Sequence, residues 1–94
     1  MKPVWSKAAI RDLDEIAIYL SARSERAAEF IEERIRDEAK LLSRFPKSGR
    51  EGRAPGTCER VVGKTPYILA YKIASGQVRI LRVYHGARRW PTAF

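Results

Sequence analysis

The sequence predicts an α+β fold in which a hairpin of two helices packs on one face of an antiparallel sheet. Three observations carry that expectation. Apolar residues recur at spacings of three and four over two successive segments of the first half. The pattern changes to β-forming runs after Pro46. The resulting order is strand, helix, helix and then three strands. Ninety-four residues cannot divide a core, so 1–94 is read as one domain.

Pro3 to Trp5 forms a short extended segment, and Ser6 offers a side-chain oxygen to cap a helix from Lys7 to about Ser21. Ile10, Leu13, Ala17 and Leu20, with Ile16 beside them, make its apolar stripe, and Arg11, Asp12, Asp14 and Glu15 fall off that stripe. Ser24 caps a second helix to about Arg44, whose buried line is Ala28, Ile31, Ile35, Ala39 and Leu42. Its other face, Glu29 to Lys40, is charged and reads as solvated. The short connection makes the helices an antiparallel hairpin. Pro46 ends the second helix and opens a basic loop to Thr57. Glu59 to Val62 and Tyr67 to Ile73 then read as strands, Ser75-Gly76 as a turn, and Val78 to His85 as the closing strand. Strict alternation puts Val78 and Ile80 on one face of that last strand and Leu81 and Val83 on the other. It also sets Arg82 and Tyr84 opposite His85, Val83 and Arg79.

Nineteen Lys and Arg against eleven Asp and Glu leave a net charge of +8. The charge is segregated. Residues 1–43 hold eight basic and nine acidic side chains, and residues 44–94 hold eleven basic and two acidic, so the second half is cationic. Such a field concentrates phosphate backbones or acidic protein segments, and salt screens it. No apolar run reaches the roughly 20 residues that span a bilayer. The amino terminus lacks the apolar stretch of a secretory signal, so no membrane partner and a cytoplasmic location are expected. Cys58 is the only cysteine and reads as a structural thiol. One His and one Cys cannot complete a metal site, and Gly49, Gly52 and Gly56 do not form a phosphate loop, so no cofactor is expected.

His85, the sole histidine, is the one group suited to proton transfer near neutrality, or else a strand-end residue bonded to backbone. Arginines near it would stabilise charge developing on an attacked phosphodiester.

Several motifs stand together over nearly the whole chain. They are Asp12-Leu13-x-x-Ile16-x-x-Tyr19, Phe45-Pro46-x-x-Gly49-Arg50, Pro66-Tyr67-Ile68-x-x-Tyr71, and the stretch from Ile80 through His85-Gly86-Ala87-Arg88 to Trp90-Pro91. With these the chain resembles the RelE/ParE superfamily of type II toxins, best its ParE-like branch. The resemblance implies a βααβββ fold, a co-expressed cognate antitoxin that wraps the toxin into a hetero-oligomer, and growth arrest when the toxin is freed. ParE-like members block DNA gyrase by binding, whereas RelE-like members cut mRNA on the ribosome. In the RelE pattern a basic residue follows the tyrosine of the third strand, but here Tyr67 is followed by Ile68, and the distal aromatic falls near Phe94, which has no hydroxyl. The gyrase-binding reading makes His85, Arg88, Arg89 and Trp90 the target contact, with Arg50, Arg53 and Arg60 as a supporting positive surface. The endoribonuclease alternative uses Arg60, Arg82 and Arg88 on phosphate and His85 for the proton, with Lys64 a further basic candidate. A third reading is a non-toxic binding protein of the same fold.

Overall fold

The computed structural model describes residues 2–87. Within them the elements run β1 (Val4–Trp5), α1 (Lys7–Ser21), α2 (Glu25–Arg44), β2 (Arg50–Glu51), β3 (Cys58–Val61), β4 (Tyr67–Ala74) and β5 (Gln77–His85). The strands form one sheet in the order β1, β5, β4, β3, β2. The helices lie on it as the sequence predicts, and Ser6 and Ser24 cap them by accepting from the backbone N–H groups of Ala9 and Ala27.

The sheet differs from the expected one in two respects. It is mixed, because β1 runs parallel to β5, with Val4 beside Arg79 and Trp5 beside Ile80. The basic loop also adds a two-residue strand, β2, which places Arg50 opposite Glu59 and Glu51 opposite Cys58. Tyr71 explains why that loop is held rather than loose. Its buried hydroxyl donates to the Pro46 carbonyl at 2.8 Å and accepts from the Gly49 N–H at 2.9 Å, fastening the end of α2 to the middle of β4. Gly49 is required there, since a Cβ would run into the Tyr71 hydroxyl and come within 2.8 Å of the Glu59 carbonyl.

The main core joins Leu13 of α1 and Ile35, Ala39 and Leu42 of α2 to Leu69 and Tyr71 of β4 and Val78, Ile80 and Val83 of β5. The presence of Val83 with Val78 and Ile80 corrects strict alternation. Ala70 pairs with Arg82 and Tyr71 with Ile80, so Leu81 has no partner and forms a bulge. One extra residue reverses the facing of everything after it. Arg79 therefore shares a face with Arg82 and Tyr84, the side opposite Val83 and His85. On that opposite side Ile68, Ala70 and Tyr84 form a second, smaller apolar cluster.

Two readings of α1 are also corrected. Ile10 is half exposed, because Ala9 faces the core beside the expected Leu13, and Asp12, although it falls off the apolar stripe, is buried. The reason for Asp12 is a set of bonds to β5. β1 covers only two residues of that edge, and α1 closes the next stretch. The Ser6 hydroxyl donates to the Leu81 carbonyl at 2.8 Å, and the Val83 N–H donates to Asp12 Oδ2 at 2.9 Å. Backbone groups that a sheet edge would leave open are thus satisfied by a helix and its cap.

The hairpin turn carries positive φ at both central residues, Ser75 at 53° and Gly76 at 73°, as two-residue turns between twisted strands require. Replacing Gly49 with alanine is expected to lower stability by about 1–3 kcal/mol through overpacking against Tyr71. Urea denaturation of Gly49→Ala checks this, with Tyr71→Phe, which removes the hydroxyl tether but leaves the ring carbon and the Glu59 carbonyl in place, as its companion.

Candidate functional site

Cationic side chains dominate the second half, and each can act on a ligand only if nothing inside the protein already holds it. Three buried carboxylates decide much of that. Asp12 accepts Arg82 through two contacts, Nε to Oδ2 at 2.8 Å and Nη2 to Oδ1 at 3.0 Å, in the two-pronged geometry guanidinium favours. That bond holds the Arg82 guanidinium above its usual range. Glu38 of α2 lies between Arg34, whose Nη2 is 3.1 Å from Oε1, and Arg60, whose Nε is 3.0 Å from Oε2 as an ion pair. Arg34 also donates to the Gly63 carbonyl, joining α2 to the turn after β3. Glu59 of β3 receives Arg50 Nη2 at 3.3 Å and the Arg53 backbone N–H at 3.0 Å.

Arg50 and Arg60 come together around a shallow depression lined also by Ser48, Gly49, Glu59 and Val61. Arg53 is exposed on the loop above β3, and its side chain also has a partner. Arg82 is elsewhere, two strands away on the outer side of β5. His85 ends β5 on the face that Tyr67 shares, with the two rings edge to face at 5.5 Å. Its Nδ1 accepts the Ala87 N–H at 3.1 Å, which ties the ring to the turn that follows. Lys64 stands in the turn between β3 and β4 with φ 66°, not on a strand. Arg88, Arg89, Trp90 and Phe94 lie outside the described residues.

Sequence reasoning gave no role to Glu38 or Glu59 and placed Asp12 only within a family motif, although these three acids organise this surface. Glu38 could have been noticed, since it adjoins the buried Ile35, Ala39 and Leu42 on the helical repeat. Asp12 stands in the same relation to Ala9, Leu13 and Ile16, whereas Glu59 carries no such signal, because folding of the loop onto β3 is what brings its partners to it. Tyr84 joins Glu59 from the far strand, its hydroxyl donating to Oε2 at 3.4 Å. Burial first, then the neighbouring Glu59 charge, pushes the Tyr84 phenol far above the usual 10, and burial raises Tyr71 as well.

No helix of the described residues is long and apolar enough to cross a membrane. Among the described residues no group of three His, Cys, Asp or Glu side chains could hold a metal ion. The family model for the ParE toxin of the type II parDE toxin–antitoxin system matches residues 4–90. The chain belongs to the ParE toxin family. This ParE-family chain is 40% identical over 87 residues to Y4kP of Sinorhizobium fredii, a protein named as a candidate toxin, covering 93% of this chain and 90% of that protein. It is 35% identical over 85 residues to Toxin RelE2 of Caulobacter vibrioides, covering 90% and 94%. Its fold matches a structure titled as the chromosomal ParDE toxin–antitoxin system of P. aeruginosa, with a TM-score of 0.78, 23% identity, and 90% and 95% of the two chains covered. A conserved hypothetical protein, HP0894 of Helicobacter pylori, matches with a TM-score of 0.60 at 17% identity over 94% and 97%. Membership of a type II toxin family implies an antitoxin partner.

Removing the Asp12 carboxylate takes away both the two-pronged acceptor of Arg82 and the acceptor of the Val83 N–H. Asp12→Ala is expected to cost about 3–5 kcal/mol, and Asp12→Asn less, since an amide oxygen still accepts one donor; thermal unfolding measures both. The raised tyrosines set an alkaline limit. The folded chain keeps its phenolic protons to higher pH than the unfolded chain, so their contribution is complete below about pH 10 and is lost as pH rises beyond it. Phenolate absorbance is expected to show Tyr71 and Tyr84 ionising together with unfolding.

Proposed function

We propose that this ParE-family toxin arrests growth by binding DNA gyrase, without performing a reaction, and is neutralised by its cognate antitoxin. The observation that carries this reading is the commitment of the arginines a nuclease would need. Arg60 is held by Glu38 and Arg82 by Asp12, at opposite edges of the sheet, and His85 turns Nδ1 to its own turn. General acid–base cleavage needs a proton-transfer group and anion stabilisers converging within hydrogen-bond reach of one phosphate. Ile68, where a RelE-like site carries a basic residue, belongs instead to the second apolar cluster. Charge serves a binding role without such convergence, and Arg88, Arg89 and Trp90, with His85, would supply the target contact, supported by Arg50, Arg53 and Arg60.

The antitoxin segment would be acidic and anchored by apolar side chains. Phe30 and Leu41 are exposed on α2, Phe45 at its C-terminal cap, and Val61 on β3. Among the described residues β2 pairs only with Cys58 and Glu59, which leaves the outer edge of Arg60 and Val61 open for a strand. A ribosome-dependent endoribonuclease is the second reading, favoured by the 35% identity to a protein named Toxin RelE2.

A supercoiling assay with purified gyrase, run beside a ribosome-dependent mRNA cleavage assay, tests the proposal. Gyrase is expected to be inhibited with transcripts intact. His85→Ala, which trims one of several binding contacts, is expected to lower toxicity by only a few-fold, whereas loss of a proton-transfer group from a nuclease would lower cleavage by roughly 10²–10⁴-fold. Cut transcripts with gyrase turnover unaffected would replace the first reading by the second, and activity in neither assay would leave a binding protein of the toxin fold.

A further inference from the structure

We propose that Lys72 and Arg79 form a docking surface for the phosphate backbone of duplex DNA, on the sheet face turned away from the helices. The two residues are direct cross-strand partners of β4 and β5. Their neighbours Tyr71, Val78 and Ile80 point into the core against the helices, so Lys72 and Arg79 project from the other face. Like charges placed directly opposite one another destabilise a sheet. Every nominated arginine on the described strands is relieved by a carboxylate: Arg50 by Glu59, Arg60 by Glu38 and Arg82 by Asp12. Lys72 and Arg79 have no such relief. Neither side chain makes a hydrogen bond or ion pair among the described residues, and Glu59 and Asp12, the buried acids bonded to Tyr84 and Arg82 of this face, are already taken. Lys2, exposed and two residues ahead of Val4, adds a third cation at the same end, since Val4 pairs with Arg79. A repulsion that folding leaves unrelieved is relieved by an anion from outside.

The chemistry of the surroundings selects the anion. A protein segment binds through apolar or aromatic anchors set among its charges. Among the described residues the large exposed apolar side chains are Ile10, Ile18 and Tyr19 on α1, Phe30 and Leu41 on α2, Phe45 just after it, Val61 on β3, and Ile73, which alternates to the helix side of β4. None of them adjoins Lys72 and Arg79 on their face. Single-stranded nucleic acid is held by bases stacked on exposed aromatic rings. Among the described residues the aromatic on this face, Tyr84, is buried and bonded to Glu59. Paired cations with neither anchors nor stacking rings suit a duplex, whose bases are already stacked and whose phosphates line its outside. The assignment stands apart from the identity of the arrested enzyme, and it separates a phosphate-binding face from the apolar edge suited to an antitoxin.

The test is fluorescence anisotropy of a labelled DNA duplex titrated with the full chain over a series of salt concentrations. Lys72→Gln/Arg79→Gln is compared with Lys7→Gln/Arg11→Gln, which removes the same charge from the exposed side of α1. The first double variant is expected to reduce the slope of log affinity against log salt by about 2, near one unit for each lost phosphate contact. The control is expected to change it by less than about half that amount. Melting temperature is expected to stay level or rise, because a repulsion has been removed. Equal slopes for the two variants would overturn the proposal. So would a glutamate-rich peptide, or a single strand of the same sequence, whose binding depends more on Lys72 and Arg79 than the duplex does. A marked fall in melting temperature would make the pair structural and overturn it equally.

Discussion

The Asp12 carboxylate, bonded at once to the Arg82 guanidinium and to the Val83 N–H, is the contact on which the architecture turns. β1 is too short to cover β5, so the edge beyond Ile80 would present open backbone groups. Ser6 and Asp12 close it from α1, one at the Leu81 carbonyl and one at the Val83 N–H. The bulge at Leu81 falls between these contacts, where the ladder is interrupted and side-chain bonds can replace it. That bulge in turn points Val83 into the core and leaves Arg82 at the edge, within reach of Asp12. Helix position, strand facing and ion pair thus depend on one another.

The same economy governs the rest of the cationic half. Buried carboxylates are costly unless charged or hydrogen-bonded partners meet them, and Glu38 and Glu59 are met by Arg34, Arg60, Arg50 and the Arg53 backbone. Arginines that look like ligand-binding residues in a list of charges are therefore occupied in joining α2 to β3 and the basic loop to the sheet. Functional charge lies where no acid answers it.

Exposed features are also separated by kind. Apolar side chains stand out on the flank of α2 and at the end of β3, beside an open strand edge. Unrelieved cations stand on the outer sheet face near the β4–β5 turn. A disordered antitoxin and a phosphate backbone could occupy such surfaces without competing for the same groups, which is a physical basis for a protein with one small fold and two kinds of partner.

Helix boundaries, both serine caps, the Ser75-Gly76 turn and the superfamily were all legible in the residues, because capping, periodicity and turn chemistry act between near neighbours. The family motifs made the βααβββ order readable for the same reason: they are local patterns in fixed sequence. The parallel seat of β1, the strand at Arg50–Glu51 and the reversal after Leu81 were not readable, since each arises from pairing between distant segments. The candidate site divides likewise. Composition and spacing established that the second half is cationic, but which arginines are free to meet a ligand depends on Asp12, Glu38 and Glu59, whose partners are brought to them only by packing. Charge is a property of the chain, whereas the availability of a charge is a property of the space around it.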